Sequence, residues 1–354
     1  MVNFFRIFSF IITIFLASCS FNNPGDFFTD KTKELEKEVL KKNSKLVFAE
    51  EKKFKKEISG LVKGKLTNVT VNSNWSETNF GLDNYVPHLE YNDLKQLTYK
   101  SKKIGKNKFK ISDLSFEPII YENNIFFYDP SGNVYRYSLD ERNILWKFNF
   151  YKKRYKDVPI NLKLKISNKN IIVSDNLGYL YSLEIDTGNL NWAKNYGVPF
   201  RSTIKIRDEN IFLLNQNNKF YIINERDGEK KTSFETFPSI LKSELETSMS
   251  LDTYMNNLYF ITSTGQLYSI NYKTRNLNWL LNLSMTNKGQ DEKFFFSSPI
   301  IYKDDKIFLS TSVSTYSINA TNGVINWEIP FSTYIRPVIT DNFFILTSKD
   351  CIIL

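Results

Sequence analysis

Tryptophan is scarce in this chain, and four of its five copies keep step with one another, at Trp146, Trp192, Trp279 and Trp327. The gaps are 46, 87 and 48 residues, so the long gap holds two periods of about 44. A tyrosine stands eleven residues before each of them, at Tyr135, Tyr181, Tyr268 and Tyr316. Inside the long gap Tyr221 stands eleven before Thr232, which holds the missing tryptophan's slot. Five units therefore share one register. A period of roughly 40–45 residues is one four-stranded propeller blade, which can bury its apolar faces only against its neighbours.

Within each unit the pattern alternates strand and turn. Val134, Tyr135 and Tyr137 have the mixed alternation of a strand with one face buried. Asp186-Thr187-Gly188 and Thr321-Asn322-Gly323 supply the positive-φ positions of tight hairpins. Two more strands come upstream, as in Glu117–Ile120 with Ile125–Tyr128 and Ser298–Ile301 with Lys306–Leu309, joined at Glu122-Asn123-Asn124 and Lys303-Asp304-Asp305. The expectation is an all-β chain of four-stranded antiparallel blades with almost no helix. The repeats lie at about 116–150, 162–196, 202–234, 247–283 and 297–331, with a partial one at 335–354.

This unit resembles the quinoprotein-like propeller repeat, whose pattern ends on a tryptophan of the outermost strand. The resemblance implies that Trp146, Trp192, Trp279 and Trp327 dock blade on blade and are packing residues. It also implies an eight-bladed ring, which five and a part repeats cannot close, and open sheet edges are a hazard. The expectation is an incomplete, C-terminally truncated ring, helped by strands at Leu66–Val71, Trp75 and Lys106–Ile111.

The first 19 residues carry one charge, Arg6, then an apolar run from Ile7 to Ala17. That run is too short to span a bilayer and fits the core of an export signal. It ends Leu16-Ala17-Ser18-Cys19, which resembles the lipobox of bacterial lipoproteins. The resemblance implies cleavage after residue 18 and acylation of Cys19, with several acyl chains giving stable anchoring. Residues 19–60 read as a charged tether and 61–354 as the propeller. Ser20 after the cysteine is compatible with the outer membrane.

Asn74-Trp75-Ser76, Asn79-Phe80-Gly81 and His88-Leu89 resemble the stretch that precedes the propeller in alphaproteobacterial members of the BamB family, the lipoproteins of outer-membrane β-barrel assembly. Lipobox, tether, this stretch and repeats follow the family's order. The resemblance implies a non-enzymatic periplasmic scaffold that docks on the POTRA domains of a BamA-like insertase. Its further partners would be other lipoproteins of the complex and unfolded outer-membrane proteins. In the family the contact is attributed to loops of neighbouring blades, one with an apolar-x-apolar-Arg sequence and the next with Asp-x-Asp. Val198-Pro199-Phe200-Arg201 fits the first, and Glu244-Leu245-Glu246 fits the second with glutamates for aspartates. Val198, Phe200, Arg201, Glu244 and Glu246 are thus expected to form one exposed patch, since equivalent positions of adjacent blades are neighbours on one rim.

The alternatives are an enzyme and a generic ligand-binding propeller. A quinone-dependent dehydrogenase shares the fold, but such enzymes often carry an adjacent-cysteine disulfide. Here the two cysteines are Cys19 and Cys351. No nucleophile-elbow, P-loop or HExxH motif occurs. Glu117, Asp129 and Asp186 fall at turns and strand ends, where turn capping is the ordinary role. No cofactor is expected, and one histidine excludes a histidine-rich metal centre. A ligand-binding propeller would show rim aromatics, for which Tyr151, Tyr155 and Phe294–Phe296 are the candidates. The net charge of +9 is spread along the chain, and only nine of the 47 basic residues are arginine, so nucleic-acid binding is not expected.

Overall fold

Every complete repeat forms one antiparallel sheet with its strands in chain order. Blade 1 holds β1 (Ile119–Tyr121), β2 (Asn124–Tyr128), β3 (Asn133–Ser138) and β4 (Asn143–Asn149). Blade 2 holds β5 (Leu162–Ser167), β6 (Asn170–Asp175), β7 (Tyr179–Glu184) and β8 (Leu190–Asn195). Blade 3 holds β9 (Lys205–Arg207), β10 (Asn210–Leu214), β11 (Phe220–Asn224) and β12 (Lys230–Phe234). Blade 4 holds β13 (Met249–Leu251), β14 (Asn257–Ile261), β15 (Gln266–Asn271) and β16 (Asn276–Asn282). Blade 5 holds β17 (Ile301–Lys303), β18 (Lys306–Ser310), β19 (Thr315–Asn319) and β20 (Ile325–Ile329). A two-stranded sheet follows, β21 (Val338–Ile339) with β22 (Phe344–Ile345). This computed structural model describes residues 68–91, 99–105, 117–151, 155–236, 248–252, 254–284, 295–340 and 343–347, all within the unit formed by residues 56–354. No α-helix occurs among the described residues.

First strands meet one another, β1 with β5, β9 with β13 and β13 with β17, so they line a common axis. Fourth strands are largely exposed. Five apolar clusters fill the five junctions between successive sheets. The register tyrosines Tyr135, Tyr181, Tyr221, Tyr268 and Tyr316 are all buried.

The turns are built by side chains more often than by glycine. The tight hairpins between first and second strands place Glu122-Asn123, Asp208-Glu209 and Asp304-Asp305 at positive φ, the geometry that matches strand twist. Between second and third strands, Oδ1 of Asp129 accepts from the N–H groups of Ser131 and Asn133, and Oδ1 of Asp175 from those of Leu177 and Tyr179. These are Asx turns, the capping role expected of Asp129.

Every third-to-fourth strand pairing carries a bulge at one place, just before the tryptophan slot. A bulge re-aims the next side chain, and here it turns the indole toward the following blade. Trp146 Nε1 donates to the Ile185 carbonyl at 2.9 Å, Trp192 to Glu225 at 3.1 Å and Trp279 to Ala320 at 2.9 Å. Trp327 packs on Phe308 and on Phe344 of the two-stranded sheet. The seat for each of the first three is a hairpin glycine. A Cβ at Gly188, Gly228 or Gly323 would lie 2.5–2.7 Å from the ring of Trp146, Trp192 or Trp279. Where the tryptophan is missing, so is the glycine. Thr232 faces blade 4, whose equivalent turn residue is Arg275, at φ 64°. Tyr272 of that turn reaches back instead, its ring 5.1 Å from Phe212 and its hydroxyl donating to Asp208.

Candidate functional site

The rim loop between blades 2 and 3 contains Gly197-Val198-Pro199-Phe200-Arg201. Val198 is half-buried, its backbone pressed against Gly178, where a Cβ would lie 2.8 Å from the Val198 nitrogen. Phe200 does not form an exposed hot spot. It is 4% exposed and belongs to the cluster between blades 2 and 3, edge-on to Tyr196 and Tyr221. Its N–H donates to the Asp175 carbonyl, and it bridges Asn215. The expectation of Phe200 as a partner-facing residue is therefore corrected: in a propeller, the chain entering a blade carries its apolar side chain straight into the junction. Glu244 and Glu246 lie outside the described residues, as does Cys19.

Arg201 is half-buried and its N–H donates to the Leu214 carbonyl. With Lys163, Asn161, Asn176, Ser174 and Asp175 it lines a small cavity of about 40 Å³ that also touches Phe200. Burial raises the Asp175 carboxyl, although the Tyr151 hydroxyl and the N–H groups of Tyr179 and Leu177 all donate to it and oppose the shift. Burial and the Asp175 charge push the Tyr151 phenol far above its ordinary range. Tyr151 is therefore a core residue and not a rim aromatic. Tyr155 stacks edge-on to Tyr151 and Tyr179, and Phe295 caps Gly265. Phe296 packs edge-on to Tyr334. Phe294 lies outside the described residues.

A second feature sits on the axis and was not expected. Trp75 is no strand of a blade. It opens a strap, Trp75–Tyr85, that crosses the first strands of all five blades. The Trp75 N–H donates to the Ile120 carbonyl and the Ile120 N–H returns to Trp75, at 2.6 and 2.8 Å. Ile166 donates to Ser76, Leu251 to Leu82 and Tyr302 to Asp83, each at 2.9 Å. The Asn84 amide donates to the carbonyls of Met249 and Ile300. Arg336, just before β21, lies over the Trp75 ring. Upstream, Thr70 makes one parallel bridge with Leu89 and no strand, and Lys106–Ile111 lies outside the described residues.

Three charges are buried under the strap. Glu77 is 3% exposed, Lys165 7% and Lys205 0%. Each carboxylate oxygen of Glu77 takes one ammonium, Oε1 from Lys165 at 2.8 Å and Oε2 from Lys205 at 2.9 Å. Lys205 also donates to the Gly81 carbonyl and to Asn84 Oδ1. Burial lowers the Lys205 ammonium, and Glu77 opposes the shift. Asp83 beside it is raised by burial.

A family profile described as "Outer membrane protein assembly factor BamB" matches residues 130–353, more than half of the chain. The chain belongs to the BamB family. No curated protein sequence matches it. Its fold is similar to that of BamB from Moraxella catarrhalis, with a TM-score of 0.56 at 14% identity over 68% of this chain and 72% of that one. It is also similar to quinohemoprotein alcohol dehydrogenase from Comamonas testosteroni, TM-score 0.55 at 12% identity, covering 74% of this chain and 49% of the enzyme. A europium-containing methanol dehydrogenase gives 0.52 at 13% identity, covering 73% and 58%. Identities this low speak to the fold alone, and this BamB-family chain spans about half the length of those enzymes.

The dehydrogenase neighbours imply a quinone and a metal. Neither finds a fit among the described residues. Among the described residues no three His, Cys, Asp or Glu side chains gather at a metal site. The axis is crossed by the strap, whose Glu77 pairs with both axial lysines, and Lys205 spends its other donors on Gly81 and Asn84.

Proposed function

We propose that this BamB-family protein is a non-enzymatic scaffold of the outer-membrane β-barrel assembly machinery. It is acylated on Cys19, held at the outer membrane and faces the periplasm. It docks on the POTRA domains of its cognate BamA and aids assembly of unfolded barrel proteins. The observation that carries the reading is the family match across the blades. The docking surface is the rim between blades 2 and 3, where Arg201 and Lys163 border one small cavity with Asn161, Asn176, Phe200 and Asp175, whose carboxylate is already taken by Tyr151, Leu177 and Tyr179. That donor set suits an acidic side chain of the partner, because a guanidinium can make two parallel bonds to one carboxylate.

The test is co-purification of the full chain with its BamA. Arg201→Ala should keep β-type circular dichroism and weaken the complex about 30-fold or more, since truncating a buried charged contact at an interface costs about 2–5 kcal/mol. Arg201→Lys should recover part of the binding. Wild-type affinity in a folded Arg201→Ala protein would refute the surface.

A further inference from the structure

The strap buries a carboxylate between two lysines, and those lysines occupy one structural position. In the sheet registers Lys165 pairs with Ile172 and Lys205 with Phe212. The same slot holds Ile119 in blade 1, Ser250 in blade 4 and Ile301 in blade 5, paired with Phe126, Tyr259 and Phe308. Two adjacent blades thus replace a small or apolar axial residue by a cation. Among the described residues, no carboxylate of the blades pairs with either lysine. Their counter-charge arrives from 88 and 128 residues away in sequence, on the strap.

We infer that the axis of this propeller carries a two-lysine carboxylate-binding site, which the chain fills with its own Glu77 as a tethered ligand. The geometry is that of a binding site. Each carboxylate oxygen has its own ammonium, and Lys205 spends its remaining donors on Gly81 and Asn84 of the strap itself. All three charged residues are more than nine-tenths buried. Backbone bonds to β1, β5, β13 and β17 hold the ligand segment in place. The site is selective by charge and size: a small monocarboxylate reproduces the Glu77 head group, whereas an amide is neutral and turns an NH2 donor, not an acceptor, toward the second ammonium. The assignment does not depend on the assembly reading.

Chemical rescue tests it. In the full-length Glu77→Ala protein the two lysines lose their partner, and breaking a buried pair should lower the melting temperature by about 6 °C or more. Replacing chloride by formate, acetate or propionate at constant ionic strength should restore at least half of that loss with a saturable concentration dependence, because a ligand that binds only the folded state stabilises it. Wild-type protein and Glu77→Gln, whose side chain fills the space, should not respond. Lys165→Met in the Glu77→Ala background should lose the rescue. A Glu77→Ala protein that melts like wild type, or that melts low and ignores all three carboxylates, would overturn the site. So would an equal response of Glu77→Gln. If Glu77→Ala accumulates unfolded, refolding from urea decides: an acetate-dependent yield supports the site, and equal yields in acetate and chloride overturn it.

Discussion

Gly188→Ala measures how blades are joined. Gly188 sits at φ 71°, and an added Cβ would lie 2.6 Å from Cδ2 and 2.7 Å from Cε3 of Trp146. The left-handed conformation alone costs an alanine about 1–2 kcal/mol. The indole must also retreat by about 1 Å to reach ordinary contact distance. That retreat stretches the bond from its N–H to the Ile185 carbonyl, now 2.9 Å, for about 1 kcal/mol, and loosens its packing for about another 1 kcal/mol. The expected loss is about 3–4 kcal/mol. Trp146→Ala alone should cost about 3–5 kcal/mol. In that background the clash and the bond are already gone, so Gly188→Ala should cost only its backbone term. A double-mutant cycle by urea denaturation should then give a coupling of about 2 kcal/mol. The control is Arg275→Ala, at the equivalent turn facing Thr232, which should change stability by less than about 0.5 kcal/mol. Additive costs at Gly188 and Trp146, or an equal loss at Arg275, would refute the seat.

Phe200→Ala should destabilise the protein by about 3–5 kcal/mol in denaturation, whereas Arg201→Ala should stay within about 1 kcal/mol of wild type, separating the core residue from the rim residue. Burial and the bond to Asp208 push the Tyr272 phenol up to about 12, and burial raises Tyr135, Tyr181, Tyr259 and Tyr302 as well. A phenol raised on folding contributes stability that is intact below its unfolded value of about 10 and is lost as pH rises toward the folded value. The share of tyrosinate absorbance that belongs to these five phenols should therefore appear cooperatively with unfolding above about pH 10, and full ionisation of every tyrosine in a still-folded protein would contradict it. A fatty-acid probe should label the wild-type protein in cells and fail to label Cys19→Ala, and equal labelling would exclude that cysteine as the acceptor.

The blades were legible because their signals are local. Tyr181 and Trp192 are eleven residues apart in sequence and adjacent in one hairpin, and Gly188 lies between them. The rim was only half legible. Val198-Pro199-Phe200-Arg201 reads alike as an exposed loop or as the entry to a blade, and only the bond to Asp175 and the bridge to Asn215 separate the two. The axis was not legible at all. Glu77 stands in Ser76-Glu77-Thr78, which looks like solvated loop, and its partners are 88 and 128 residues distant. One signal was available: a lysine stands in the same slot of two successive repeats, between apolar neighbours, as Lys165 in Leu164–Ile166 and Lys205 in Ile204–Ile206.

The strap and the tryptophans divide one task. Trp146, Trp192 and Trp279 fasten their junctions from the outside, each to a carbonyl of the next blade. The junction between blades 3 and 4 has no such fastener, since Thr232 replaces the indole and Arg275 the glycine. The strap secures that junction, like its neighbours, from within. Asn84 accepts from Lys205 of β9 and donates to Met249 of β13 and to Ile300 just before β17, so a single buried amide joins blades 3, 4 and 5. Leu82 adds a backbone bond to Leu251 and packs into the same apolar cluster. A buried amide with its bonds made specifies one arrangement of its neighbours, because any other leaves it and its partners unsatisfied. The place where the outer repeat pattern lapses is thus still held from within, and the strap belongs to the propeller's own structure as much as any blade.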